Sequence, residues 1–415
     1  MPLQDKLVPK DWARTIIGAA VVGFVTGLII LGIKSLVQAS EKELLKADPW
    51  VIAVALMAGS LATVVIVRYL AGRSPSTTDR YIDQFHEEPD GIDVSHAPGR
   101  LAASVTTGAS GIPMGLEGPA VYAGSVVATW FKNRVGGLAG VELHALLVAG
   151  AAAGVAAVFK APLAGAIFAL EVPYRRTFAQ SSVIPALVGS TVGYLTLIAV
   201  KGTEPEFAQS AVEIGMGYVF GAALVGLACG LAARAFAALV HRAEAFATRE
   251  PAIVRGLVAG GLLVAMFVLG RILTGENVAV TAGFNATKWA FDPAHSAPLL
   301  LAVLALRVVV TGTAVGGGMV GGLFVPLVAM GGILGALLAD VASVEETALY
   351  VVIGGAAFLG SGYGTPLAAV AFVAELTGQP GFIIPGFVAV AVGQLVMSNR
   401  TVSPSQIEDE PHGAH

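Results

Sequence analysis

Two short glycine–proline stretches hold the residues best suited to chemistry in this chain, Gly115-Leu-Glu-Gly-Pro119 and Gly322-Leu-Phe-Val-Pro326. Glycine followed by proline marks a helix start, and a helix start presents unpaired N–H groups with roughly half a positive charge. Small anions bind at such places. Two helix starts converging on one point would replace an anion's water shell with amide dipoles, without a full positive charge that would hold it too tightly to leave. Glu117 lies inside the first stretch, among apolar residues. A carboxylate in a membrane segment is costly and marks a functional position. When ionised it would take the anion's place; it must leave when an anion arrives or a proton neutralises it, which makes it a gate. The structural alternative is a plain cap on the helix that begins at Gly118.

The elements that position these residues read as membrane helices. Of 415 residues, 55% are hydrophobic and 13% charged, against about 25% charged in soluble globular proteins. The net charge of −4 offers no basic surface for nucleic acid. The single cysteine, Cys229, excludes an intramolecular disulfide and every cysteine-cluster metal site, and the histidines show no metal-ligand spacing, so no cofactor is expected. Residues 14–38, 49–71, 214–241 and 252–274 are apolar runs long enough to cross about 30 Å of hydrocarbon. The stretches 101–131, 143–173, 180–200, 297–341, 348–377 and 380–398 are apolar but broken by glycine and proline. Broken helices survive in lipid only where protein surrounds them or where they line a hydrated cavity. The polar segment 73–100 reads as a loop or surface stretch. A multi-pass protein of the cell membrane follows; Lys6, Lys10 and Arg14 before the first span, with Arg175 and Arg176, favour cytoplasmic termini.

The chain also repeats itself. GAAAGVAAVFKAPLAGAIFALE (Gly150 to Glu171) matches GGAAFLGSGYGTPLAAVAFVAE (Gly354 to Glu375), pairing Pro162 with Pro366, Phe168 with Phe372 and Glu171 with Glu375 at one constant spacing. The two glycine–proline stretches precede the matched segments in the same order. Transporters built from duplicated halves place their substrate site where interrupted helices of the two halves meet.

With these motifs in place, GLEGP resembles the GxEGP motif of the CLC chloride channels and proton-coupled chloride transporters. AAAGVAAVFKAPLAGAIFALE is similar to that family's next helix pair and GGLFVP to its GxFxP, so the resemblance runs from about residue 15 to 403. It implies an all-α integral membrane fold of two inverted repeats of tilted and broken helices, assembled as a homodimer in the bilayer with one pore per subunit. The single domain would span 1–405, with halves at about 12–200 and 210–403, a solvated tail at 406–415, and no C-terminal regulatory domains. By the same resemblance chloride is the transported ligand and protons a second partner. Gly115 and the amides of Leu116, Glu117, Gly118, Leu323, Phe324 and Val325 would coordinate anions, and Glu117 would be the external gate.

Departures from the family pattern gather elsewhere. Where the family's GSGIP motif belongs the chain has Gly72-Arg-Ser-Pro-Ser76, leaving Ser74 or Ser76 as the pore serine. Ser110-Gly-Ile-Pro113 falls immediately before GLEGP, on the wrong element for that role. The acid that relays protons in family antiporters is replaced by Val172, after Glu171, and the pore tyrosine aligns with Ser403. Losing both favours a channel-like conductor over the alternative, a proton-coupled antiporter. Fluoride selectivity has no motif in its favour.

Other readings attach to single residues. Gly108-Ala-Ser-Gly111 fits the GxSG of rhomboid-type intramembrane serine proteases, with Ser110 as nucleophile and His144 as base. Lys160 is either a snorkelling lysine or a cation for an inner vestibule. Arg307 pairs with a buried acid or faces a vestibule, Glu171 and Glu375 cap helices or pair with cations, and His86, His96 and His144 lie at the surface or in loops.

Overall fold

The computed structural model describes residues 12–87, 91–135, 141–207, 209 and 215–408. The first half runs through α1 (Trp12–Leu44), α2 (Pro49–Tyr69), α3 (Thr78–Glu87), α4 (Ala97–Ala109), α5 (Glu117–Arg134), α6 (Leu143–Phe159), α7 (Pro162–Glu171) and α8 (Val183–Lys201). The second follows the same order: α9 (Met216–Arg249), α10 (Ala252–Thr274), α11 (Phe284–Ala290), α12 (Ala297–Gly316), α13 (Phe324–Val341), α14 (Thr347–Tyr363), α15 (Pro366–Thr377) and α16 (Ile383–Met397). Among the described residues eight helices are long and apolar enough to span a membrane, including the four unbroken runs expected from the sequence.

The broken segments that form α6 and α14 lie inside. In α6 every residue except His144 is buried, and in α14 only Ala348 fails to be fully buried or nearly so. A helix apolar on all sides belongs in the protein interior. Small residues let these helices touch backbone to backbone. A Cβ built on Gly124 of α5 would lie 2.0 Å from the Gly150 carbonyl oxygen of α6, and one on Gly150 would lie 2.3 Å from that of Gly124. The second half repeats this crossing at Gly331 of α13 and Gly354 of α14, with 2.2 and 2.3 Å. In lipid, where apolar contact between helices brings no hydrophobic gain, such close approach is the main attraction.

The halves run in opposite directions. Glu171, at the end of α7, accepts hydrogen bonds from the Leu367 and Ala368 amides at the start of α15, at 3.2 and 2.9 Å. Glu375, near the end of α15, accepts from Leu163 and Ala164 at the start of α7, at 2.9 and 2.8 Å. Each carboxylate supplies the acceptor that a proline-led helix start lacks, so the matched glutamates are reciprocal caps across an antiparallel pair.

Three expectations are corrected. Segment 73–100 is not a loop: it holds α3, a 3-10 turn at Val94–His96 and the start of α4. Its polar average hides an amphipathic helix that buries Tyr81, Ile82 and Phe85. The start of the tail is not solvated, because Gln406 is buried and donates to the carbonyls of Val172 and Tyr363 at 2.9 and 2.8 Å; residues 409–415, like Lys6 and Lys10, lie outside the described residues. Arg307 is fully buried yet meets carbonyls in place of an acid, those of Val278, Thr281 and Ala282 at 3.4, 3.2 and 2.6 Å.

The close crossing can be tested by adding one methyl group. Gly150→Ala drives Cβ into the Gly124 backbone, and overpacking of this kind costs about 1–3 kcal/mol. Gly32→Ala, whose Cβ meets nothing within 4 Å, is expected to be neutral or stabilising. Thermal unfolding in detergent should give a lower midpoint for Gly150→Ala alone; equal midpoints for the two variants would contradict the packing described.

Candidate anion pathway

The two glycine–proline stretches meet in the interior. Gly115 and Gly322 exchange both backbone hydrogen bonds, each 2.8 Å, as a single antiparallel bridge. This clamp sets α5 and α13 to begin side by side, with Glu117 and Phe324 as their first residues. Glu117 is fully buried, and its Oε1 accepts a hydrogen bond of 2.5 Å from the Phe324 amide of the other half. Its own amide and that of Val325 also face the carboxylate. Oε2 has no hydrogen-bond partner among the described residues.

Glycine is required on both sides of this seat. A Cβ on Gly115 would stand 2.0 Å from Glu117 Oε2, and one on Gly322 would stand 2.2 Å from Oε1. The carboxylate thus fills the space between the two converging helix starts. Gly115, Leu116, Glu117, Gly118, Leu323, Phe324 and Val325 are all brought to this one place.

A cavity opens on each side of the seat. The larger, about 620 Å³, is lined by Ser74, Ser76, Thr77, Thr78, Asp79, Leu323, Tyr363 and Ser403, with Arg68, Arg73 and Arg255 at its walls. The smaller, about 60 Å³, is bounded by Lys34, Glu41, Leu116, Val325 and Glu206. Lys160 sits on the Lys34 side, with its Nζ 3.3 Å from the carbonyls of Lys201 and Glu204. It therefore lies away from the vestibule that holds Ser74 and Ser403, contrary to the role considered for it.

The Ser74 side departs further from expectation. Ser74 Oγ accepts from the Ser76 amide at 3.3 Å in a local turn, and Arg100 fixes that loop by donating to the carbonyls of Ser74 and Ala71 at 3.3 and 3.2 Å. The Ser403 hydroxyl is given to Asp79. The cavity that holds Ser74 and Ser403 does have a tyrosine: Tyr363, at the end of α14, accepts from the Leu323 amide at 3.2 Å. It comes from within the repeat, in Gly-Ser-Gly-Tyr-Gly, while the last segment brings Ser403 to the same cavity. Thr78 and Asp79 also went unnoticed, hidden in a segment taken for a loop. Val172 is buried, its carbonyl occupied by Gln406, and the preceding Glu171 is committed to α15.

The protease reading finds no base. Ser110 Oγ donates to the Thr106 carbonyl at 2.7 Å, while His144 bonds the Phe85 carbonyl at 2.8 Å.

The family model described as voltage gated chloride channel matches residues 58–398. A ClcB-like chloride channel protein of Ralstonia nicotianae is 31% identical over 323 residues, covering 74% of this chain and 72% of the relative. The H(+)/Cl(-) exchange transporter ClcA of Salmonella paratyphi A is 28% identical over 312 residues, 69% of this chain; the chain spans 63% of that relative's length. Among solved structures, a CLC-type fluoride/proton antiporter superposes with a TM-score of 0.83 at 22% identity, covering 96% of this chain and 98% of the other. A slow cyanobacterial Cl-/H+ antiporter gives 0.80 at 22% identity, covering 94% and 96%. At these identities the structural likeness speaks for the fold.

A tethered carboxylate in the seat competes with free anion at a high effective concentration. Glu117→Ala should therefore bind chloride more tightly than the wild type, by about tenfold, in isothermal titration of the detergent-solubilised protein. Equal affinities would show that the carboxylate does not hold the anion's place.

Proposed function

The chain belongs to the voltage gated chloride channel (CLC) family, and from that premise we propose that it exchanges chloride and similar small anions for protons across the membrane, with Glu117 as the gate. The supporting observation is the Glu117 carboxylate bound by the Phe324 amide between two cavities. Ionised, it blocks the anion; once protonated, it loses most of its attraction for the amides and gives up the seat. One charge thus links anion passage to proton uptake. Relatives described as H(+)/Cl(-) exchange transporters favour this coupling.

Channel-like conduction, expected from the sequence, is the second reading. Of its two supports, the absent tyrosine is answered by Tyr363, while the absent relay acid at Val172 still favours it. Clustering of Arg68, Arg73 and Arg255 on the Ser74 side favours a cytoplasmic position for that mouth. Homodimerisation is proposed through the apolar face on which α8 exposes Leu187 and Leu195 and α16 exposes Phe387 and Leu395.

The test is simultaneous recording of chloride and external pH from liposomes holding the purified protein. A chloride gradient should drive protons uphill in the wild type. In Glu117→Gln, which cannot ionise, chloride should still cross while proton movement falls by about tenfold or more. Chloride flux without proton movement in the wild type would select the channel reading.

A further inference from the structure

Exchange requires a proton to reach Glu117 from the Ser74 side, and the position that carries a relay acid in family antiporters is Val172. Four carboxylates line the cavity on that side, Asp79, Asp83, Glu244 and Glu250. Asp79 stands apart because it faces inward. Ser403 Oγ donates to its Oδ1, and its charge reaches the Tyr363 hydroxyl, which also feels Glu117. Tyr363 in turn accepts from the amide of Leu323, the residue before the one that holds the gate.

Between the two carboxylates lies a polar interior. Thr78 Oγ1 is buried beside the Tyr363 hydroxyl. It stands 3.1 Å from where a Gly118 Cβ would lie, so it abuts the gate loop. Glu117 Oε2 has no hydrogen-bond partner among the described residues. The Thr78 and Tyr363 hydroxyls and this unpartnered oxygen, polar atoms able to hold water, line the interval from Asp79 to the gate.

We propose that Asp79 is the proton-entry residue of this transporter, taking protons from the large cavity and passing them to Glu117 past the hydroxyls of Thr78 and Tyr363. The inference rests on the exchange reading. A hydronium ion in the cavity gives its proton to an Asp79 carboxylate oxygen and becomes water. The neutral carboxyl then releases a proton to a neighbouring water or hydroxyl, which passes one of its own onward. Glu117 gains a single O–H bond as Asp79 returns to its ionised form, so each O–H bond formed is matched by one broken.

Its surroundings suit the task. Asp79 belongs to α3, outside the membrane spans, and burial pushes its carboxyl up to about 6, with the Ser403 bond acting in the opposite direction. Glu244 of α9 and Asp83 of α3 add to the rise, and His241 of α9 opposes it. Arg68, Arg73 and Arg255 complete the charges around the cavity. Both protonation states are then populated near neutral pH, as a relay needs. Protons and anions would share the mouth on this side, in place of separate entrances.

The liposome assay separates this role from a structural one through the ratio of the two fluxes. In Asp79→Asn the proton-to-chloride ratio should fall by about tenfold or more while chloride still crosses, and Asp79→Glu should restore the ratio. An unchanged ratio in Asp79→Asn, with the wild type exchanging, would overturn the inference and leave the exchange reading intact. Proportionate loss of both fluxes in Asp79→Asn and in Asp79→Glu would overturn it in favour of a purely structural aspartate. A wild type that moves chloride without protons would sink the exchange reading and this inference together.

Discussion

The hydrogen bond from the Phe324 amide to the Glu117 carboxylate joins one half of the chain to the other, and the fold is arranged around making it possible. For that bond to form, two helices must begin at the same point inside the protein. The mutual pairing of Gly115 and Gly322 provides the point. Neither residue can carry a side chain, because the carboxylate lies where a Cβ would go. A helix that begins midway across a bilayer has unpaired amides that lipid cannot satisfy. They must be surrounded by protein, and α6 and α14 do the surrounding. Their glycine- and alanine-rich sequences are what allow backbone to lie on backbone at the Gly124–Gly150 and Gly331–Gly354 crossings.

The same logic governs α7 and α15, each led by a proline. Each lacks acceptors for its first amides, and each receives a carboxylate from the far end of the other. Glu171 therefore has a role that competes with any function as a proton relay. Moving a proton onto it would weaken two charge-assisted hydrogen bonds, each worth about 1.5–3 kcal/mol. The inverted duplication makes this reciprocity possible, since an antiparallel pair brings the end of one helix to the start of its twin.

What could be read from the sequence follows from this symmetry. The meeting of the two glycine–proline stretches was legible because a helix start is written twice, in GLEGP and GGLFVP, and is followed each time by a matched segment. Glu171 and Glu375 were recognisable as equivalent, though their mutual capping needed the direction of the two helices. Residues near the cavity on the Ser74 side were harder to find. Asp79 and Thr78 lie on a short amphipathic helix whose average polarity resembles a loop, and Tyr363 reaches the pore from an element other than the one alignment suggested. Gln406 looked like part of a polar tail because a buried glutamine held by two carbonyls leaves no pattern in one sequence.

Inverted symmetry also explains why the departures at Ser74 and Ser403 fall at one mouth. Equivalent segments of the two halves fall on opposite sides. The stretch after α2, with Ser74 and Asp79, lines the large cavity, while its counterpart after α10 brings Ala282 to the small one. The stretch after α16, with Ser403, lines the large cavity, and the corresponding stretch after α8 brings Glu206 to the small one. The seat is built from both halves at once, so a change in either glycine motif disturbs the hydrogen bonding of the other. Each mouth is built from unpaired copies and answers to no such constraint. Its serines, tyrosine and acids can be redistributed while the seat stays fixed, and in this chain a tyrosine from α14 and an aspartate from α3 line the larger cavity.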